Sequence, residues 1–231
     1  MEIACWPKGK RERKYAGVSH IDVNNTSKEY KESIQNLFKE YNMEISALAY
    51  YPNVLDSDPE VAKLSKQHLL KVIDAAANLE VGMVTTFIGR NHKLSTNENF
   101  KLFEEVWPPI IQYAKNKNIK IAIENCPMWF TDDEWPGGKN LFTTPQNFRR
   151  AFEIIPDQNF GINYDPSHFI WQQIDYIKPL YEFKDRIFHV HFKDIKLYKD
   201  KLDQVGIMAN PLEYMAPKLP GLGDVDWAKY V

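Results

Sequence analysis

Polar residues follow three apolar runs in the second half of the chain, and their types suit metal chemistry. The run at 119–123 is followed by Glu124, the run at 160–164 by Asp165, and the run at 187–192, which contains His191, by Lys193 and Asp194. Carboxylate oxygens and an imidazole nitrogen are ligands for a divalent cation such as Mn²⁺, Co²⁺, Mg²⁺ or Zn²⁺. A carboxylate after a strand also commonly caps the next helix. The recurrence on three consecutive runs therefore leaves two interpretations open, three separate caps or one shared metal site.

Further side chains near these runs are candidates to contact a substrate. His189 and His191 are two residues apart and face the same side of a strand. His191 is nearer the carboxyl end and is the predicted ligand, whereas we expect His189 to be a buried histidine satisfied by hydrogen bonds. Candidates to line the pocket follow the same three runs and the strand-like run at 83–88. They are His92, Trp129 (a ring that would stack on a sugar face), His168, Lys193 and Asp194.

The elements that must position these residues are six apolar runs that alternate with helical patterns. Unbroken apolar and β-branched runs are typical of parallel strands covered on both faces. The predicted strands are 2–6, 44–50, 83–88, 119–124, 160–164 and 187–192. Ser27, Asp58 and Thr144 are predicted helix caps, the last two with proline at the next position. The pair Pro108-Pro109 predicts a kink or a break in the third helix.

Repeated strand–helix units predict a parallel sheet, either open and doubly wound or closed as a barrel. No glycine-rich phosphate loop follows a strand, which weakens the nucleotide-binding open sheet. Six consecutive units favour a barrel of the eight-stranded type, whose functional residues lie at the carboxyl ends of its strands. We expect a single domain over 1–231.

Composition excludes several classes of protein. The chain has 231 residues, 44% hydrophobic content and a net charge of −2, so it can form a large core and lacks the basic excess of a nucleic-acid-binding surface. No apolar run approaches the roughly 20 residues of a membrane span. Cys5 and Cys126 are far apart and form no paired motif, which indicates a reducing compartment, the cytoplasm.

Both ends of the chain are predicted to be interrupted. A strand begins at Glu2, directly after Met1, and a helix entrance at Trp227 lies four residues from Val231.

Four segments together resemble the sugar phosphate isomerase/epimerase superfamily, with its xylose isomerase-like TIM barrel. They are Ile121–Asn125, Asn163–His168, His189–Asp194 and Gly221–Trp227. The resemblance implies that Glu124, Asp165 and His191 hold one divalent metal ion, and that His168 contacts a substrate oxygen. A fourth ligand would lie on a strand beyond Trp227. The resemblance thus implies an incomplete barrel with six of eight strands, lacking the family's first and last.

The same resemblance implies a reaction on a sugar or sugar phosphate. A metal-dependent isomerase or epimerase would abstract a proton next to a carbonyl and pass through an enediolate. Glu124 would be both a ligand and the acid/base. A second glutamate would return the proton from the opposite face, and its absence predicts weak or no turnover for this chain.

Three alternatives stay open. An inosose-type dehydratase would share the barrel and the metal. A non-catalytic barrel fragment would bind a sugar or only pack. An endonuclease IV-like repair enzyme is disfavoured, because the net charge is −2 and segment 203–205 contains no histidine. An exposed sheet edge would be covered by pairing with a second copy, so a homodimer is a further expectation.

Overall fold

The sheet that carries the polar residues contains six parallel strands. A computed structural model describes residues 1–9, 18–128 and 138–231. Consecutive strands are neighbours in the sheet, which curls in one direction as an open half-barrel. The alternating pattern favoured a barrel, and the observed sheet is the incomplete barrel that the family resemblance implied. The strands are β1 (Glu2–Ala4), β2 (Ala47–Ala49), β3 (Met83–Thr86), β4 (Lys120–Glu124), β5 (Phe160–Tyr164) and β6 (Ile187–Val190).

Helices connect the strands, and their first residues confirm the predicted caps. The Ser27 hydroxyl accepts a hydrogen bond from the Tyr30 amide, and Asp58 and Thr144 cap their helices in the same way. Each cap satisfies an amide that has no partner within the helix. Within the described residues the helices are α1 (Lys28–Glu40), α2 (Pro59–Leu79), α3 (Thr96–Lys115), α4 (Pro145–Ile154), α5 (Ser167–Trp171), α6 (Lys178–Glu182), α7 (Lys199–Val205) and α8 (Trp227–Tyr230).

Helix α3 corrects one expectation. It runs without interruption through Pro108 and Pro109, so the predicted break is wrong. The carbonyls that lose their amide partners belong to Glu104 and Glu105, which lie on the exposed side where water can bind them. The opposite side is anchored by Trp107, which is buried and donates its indole N–H to the Ile88 carbonyl. Packing therefore outweighs the two missing hydrogen bonds.

The segment after β6 contains a hairpin that the sequence did not predict. Strands β7 (Asp194–Leu197) and β8 (Met215–Lys218) pair antiparallel and form a separate two-stranded sheet, with α7 between them. The side chains of β7 alternate between polar and apolar, as in Lys196 and Leu197, which is typical of a strand. In contrast, β8 contains Pro217, and proline is unusual in a strand. The hairpin is short and lies outside the parallel sheet.

An aromatic core fixes β5 beneath its helices. Phe142 stacks on Phe148 with ring centroids 4.2 Å apart, and Phe148 and Phe160 are fully buried. Gly161 allows β5 and β6 to approach closely, because a Cβ there would lie 2.4 Å from both the Arg186 carbonyl oxygen and the Phe188 ring. This packing sets the separation of the two strands that carry Asp165 and His191. No helix in the described part of the chain combines the length and apolarity needed to cross a bilayer.

Candidate metal centre

Three predicted ligands meet at the carboxyl ends of three neighbouring strands. Glu124 is the last residue of β4, Asp165 directly follows β5, and His191 directly follows β6. One ligand atom from each lies within 4.8 Å of the others. Metal–oxygen and metal–nitrogen bonds of about 2.1 Å put ligands around one ion up to about 4.2 Å apart, so this spacing is close to a coordination sphere. The structure therefore brings together the side chains that the sequence singled out.

The surroundings of Asp165 leave one of its oxygens for a cation. Ser167 donates to Asp165 Oδ1 from its amide (2.9 Å) and its hydroxyl (2.6 Å). Asn125 bonds the Asp165 amide and carbonyl and thereby fixes the backbone. Asp165 Oδ2 is buried, receives neither of the Ser167 bonds and faces the Lys193 ammonium at 2.7 Å and the His168 imidazole at 3.3 Å. An oriented, buried carboxylate oxygen of this kind fits a divalent ion.

The Lys193 ammonium supplies positive charge at the same place. Its Nζ lies 2.7 Å from Asp165 Oδ2 and 3.6 Å from Glu124 Oε1. Burial would lower the pKa of Lys193, but the two carboxylates outweigh burial and raise it. The group of oxygens therefore holds a cation, here one supplied by the chain itself. The sequence placed Lys193 at the substrate, and the structure puts it against the candidate ligands.

His168 lies on the first turn of α5 and faces the same carboxylates. Its Nε2 is 3.3 Å from Asp165 Oδ2, 3.5 Å from Glu124 Oε1 and 3.1 Å from Lys193 Nζ. The imidazole is mostly buried, with 13% of its side chain exposed. It can therefore present a polar nitrogen to a ligand bound beside Asp165.

His191 is held from its second nitrogen by a residue that the sequence analysis missed. Its Nδ1 lies 3.1 Å from Glu124 Oε1, and its Nε2 lies 3.0 Å from Glu2 Oε2. Tyr51 donates its hydroxyl to Glu2 Oε1 at 2.7 Å. Burial lowers the pKa of His191, but its bonds to Glu124 and Glu2 outweigh burial and raise it to about 10. Histidine ligands of metals commonly donate their other N–H to a carboxylate, and Glu2 is such a partner.

Two other histidines have structural roles, and for His189 this is the role that the sequence favoured. His189 Nδ1 lies 3.0 Å from Asn163 Oδ1, and its Nε2 lies 3.2 Å from the Ser46 hydroxyl. His68 is buried in α2 with its Nε2 2.7 Å from the Cys5 carbonyl oxygen. Both rings have hydrogen-bond partners inside the fold.

Three of the proposed substrate contacts need separate comment. The Asp194 carboxylate is fully buried and accepts hydrogen bonds from four backbone amides and from the Trp227 indole. It therefore holds the 221–227 segment in place and does not make the predicted contact with substrate. The amides belong to Ile195, Gly221, Gly223 and Val225. His92 is exposed in the turn before α3, outside the groups of ligand-type side chains in the described residues. Trp129 lies outside the described residues.

Cys126 joins this region although the sequence analysis did not select it. Glu124 and Cys126 are two residues apart at the end of β4 and project to the same side. Ligand atoms of Glu124, Cys126 and His168 lie within 4.8 Å of one another. The spacing Glu-x-Cys was the signal that would have identified it.

A cavity of about 410 Å³ opens among the loops that follow β3, β4 and β5. Two side chains in its wall also donate hydrogen bonds to the backbone of residues in the candidate metal centre. Asn140 Nδ2 donates to the Glu124 carbonyl, and Gln172 Nε2 donates to the His168 carbonyl. The volume is in the range of small-molecule sites. The ligand-type residues themselves do not line the cavity, so it adjoins the centre without containing it.

Known proteins share this architecture. A family model described as a xylose isomerase-like TIM barrel matches residues 1–231. No curated protein matches the chain by sequence.

Solved structures with this fold include sugar epimerases and a dehydratase. A D-tagatose 3-epimerase-like protein is 18% identical over 99% of this chain and 74% of its own, with a TM-score of 0.66. The probable 3-DHS dehydratase AsbF from Bacillus anthracis is 15% identical over 88% and 70%, with a TM-score of 0.62. The IolI protein with a bound zinc atom is 17% identical over 87% and 68%, with a TM-score of 0.64. At these identities the likeness concerns the fold.

Proposed function

Because the chain belongs to the xylose isomerase-like TIM barrel family, we propose that it is a divalent-metal-dependent sugar epimerase or isomerase. The observation that carries the proposal is the meeting of Glu124, Asp165 and His191 at one edge of the sheet. The zinc atom in the IolI structure and the epimerases among the similar folds support it.

The ion would be held by Glu124, Asp165 and His191. When bound, a divalent cation polarises a carbonyl and makes the neighbouring C–H more acidic. The buried Asp165 Oδ2, which pairs with the Lys193 ammonium in the free chain, is the oxygen that a divalent ion would take over from it.

Glu124 is the residue we assign to proton transfer. Burial by itself would raise the pKa of Glu124, but Lys193, His168 and His191 outweigh burial and hold it well below its usual range. Glu124 is therefore ionised at neutral pH and can accept the proton next to the carbonyl. His168 and Lys193 then stabilise the oxygen that gains negative charge in the enediolate.

The rest of the substrate would extend toward the cavity beside the centre. Asn140 and Gln172 connect its wall to the backbone of Glu124 and His168. A sugar bound there would be oriented against rigid supports, which favours proton transfer at one carbon.

The test is a panel of keto-sugars and their phosphates, incubated with metal-loaded protein in D₂O and followed by NMR. The proposal predicts deuterium at the carbon next to the carbonyl, dependent on added metal and lost in Glu124→Gln. Deuterium exchange that is as fast in Glu124→Gln as in the wild type would contradict the proposal.

A dehydratase of the inosose type is the second candidate, and the dehydratase among the similar folds favours it. It would begin with the same proton abstraction and then expel water. The same NMR panel, extended to inososes, separates the two through products that have lost water.

The proposal includes a small sugar as the partner and the cytoplasm as the location. Both cysteines are free, which agrees with a reducing compartment. The homodimer and the exclusion of nucleic acid stay predictions.

A further inference from the structure

Cys126 offers sulfur to a region whose other donors are oxygen and nitrogen. Its Sγ shares a group with Glu124 and His168, and the group does not extend to Asp165 or His191 within the same 4.8 Å limit. Each of the groups formed by the described residues has three members. The thiol therefore marks a set of ligands that differs from the oxygen-rich one and shares only Glu124 with it.

The chain holds this sulfur in a defined place. The Met128 amide donates to Cys126 Sγ at 3.3 Å, and Met128 has a left-handed backbone with φ of 55°. The Asn140 side chain donates to the Cys126 carbonyl at 2.7 Å. These bonds fix the turn after β4, so the sulfur lies near Glu124 and His168 without further ordering.

We propose that Cys126, Glu124 and His168 form a second metal site, selective for a soft divalent ion such as Zn²⁺. Thiolate, imidazole and carboxylate are the ligands that zinc takes in proteins, with water completing a tetrahedron. Mn²⁺ and Mg²⁺ prefer carboxylate and water to sulfur. The thiol proton, and any proton on the His168 nitrogen that binds, pass to solvent when the ion binds.

Occupation of this site excludes the oxygen-rich one because both draw on the same oxygen, Glu124 Oε1, which lies 3.5 Å from His168 Nε2 and 3.1 Å from His191 Nδ1. Lys193 must also leave, since its Nζ is 3.1 Å from His168 Nε2 and 3.6 Å from Glu124 Oε1. Its side chain is 41% exposed and can turn to solvent. The following consequence rests on the proposed function. Zn²⁺ inhibits a Mn²⁺-supported reaction because it binds Glu124, the residue that accepts the proton.

The test is a Cd²⁺ titration of metal-free protein, monitored by the ultraviolet thiolate-to-cadmium absorption. We expect the absorption in the wild type to saturate near one equivalent, to vanish in Cys126→Ser and to persist in the control Cys5→Ala. Asp165→Asn should keep the absorption while losing Mn²⁺ binding. Circular dichroism establishes that each variant is folded.

A competition completes the test. Zn²⁺ should displace Mn²⁺ from the wild type, and its advantage over Mn²⁺ should fall at least about tenfold in Cys126→Ser, since even indirect losses at metal sites cost that much. No thiolate absorption in the wild type, or its loss in Asp165→Asn, would overturn the proposal. Failure of the proposed reaction would appear only in the sugar panel, because none of these measurements uses a substrate.

Discussion

Lys193 Nζ lies 2.7 Å from Asp165 Oδ2, the oxygen of that carboxylate that receives neither of the Ser167 hydrogen bonds. The chain thus provides its own cation where the candidate ligands converge. Metal binding must compete with this ammonium, and the competition gives the first prediction.

Replacing Lys193 by methionine should increase the affinity for Mn²⁺, because the variant has no ammonium to displace. The variant without metal should also unfold at a lower temperature, since the buried Asp165 Oδ2 loses its nearest countercharge. Thermal unfolding with and without Mn²⁺ measures both effects. Lys196→Met, which breaks the Lys196–Asp224 pair of the hairpin, is the matched control. An equal Mn²⁺-induced shift in both variants would contradict the competition.

Metal affinity should rise with pH across the neutral range. Bonds to Glu124 and Glu2 raise the pKa of His191 to about 10 against the effect of burial, so the free site carries a proton that the ion must displace. Below that pKa, each proton released makes affinity increase about tenfold per pH unit. Calorimetry in buffers of different ionisation enthalpy counts the protons. A pH-independent affinity with no release would show that His191 is not protonated in the free protein, or is not a ligand.

The two cysteines should differ sharply in reactivity. Burial raises the pKa of the Cys5 thiol to about 12, although a backbone hydrogen bond from Ala49 acts in the opposite direction. Cys126 is only partly buried. A thiol reagent at pH 8 should therefore modify one cysteine quickly in the folded protein and two after unfolding. Cys126→Ser should abolish the fast phase, and a fast phase that remains in this variant would refute the assignment.

The aromatic core should dominate stability. Phe148 is fully buried and stacks on Phe142, so Phe148→Ala should lower the free energy of unfolding by about 3–5 kcal/mol. Leu37 is half exposed on α1, and Leu37→Ala should change it by less than about 0.5 kcal/mol. Urea unfolding of the two variants measures the difference. Similar losses would mean that the core does not lie where the half-barrel puts it.

The sequence predicted the strands and the strand ends where the candidate ligands lie, because each depends on local order. Apolar runs that end in Glu124 and Asp165 indicate the carboxyl edge of a parallel sheet, and this inference does not depend on the rest of the fold. Partners from distant elements were not predictable in this way. Glu2 reaches His191 across the open side of the sheet, and Asp194 binds amides some 30 residues further along the chain. The first contact depends on how the sheet curls and the second on how the segment after the hairpin folds back, and no local pattern encodes either.

Binding of Mn²⁺, followed by the electron paramagnetic resonance of the free ion, tests the central claim most directly. The account predicts that Asp165→Asn and Glu124→Gln, folded as judged by circular dichroism, lose the tight ion that the wild type binds. Asp175→Asn, whose carboxylate caps the turn before α6, should bind it as the wild type does. Equal binding by all four proteins would show that Glu124 and Asp165 do not hold a metal.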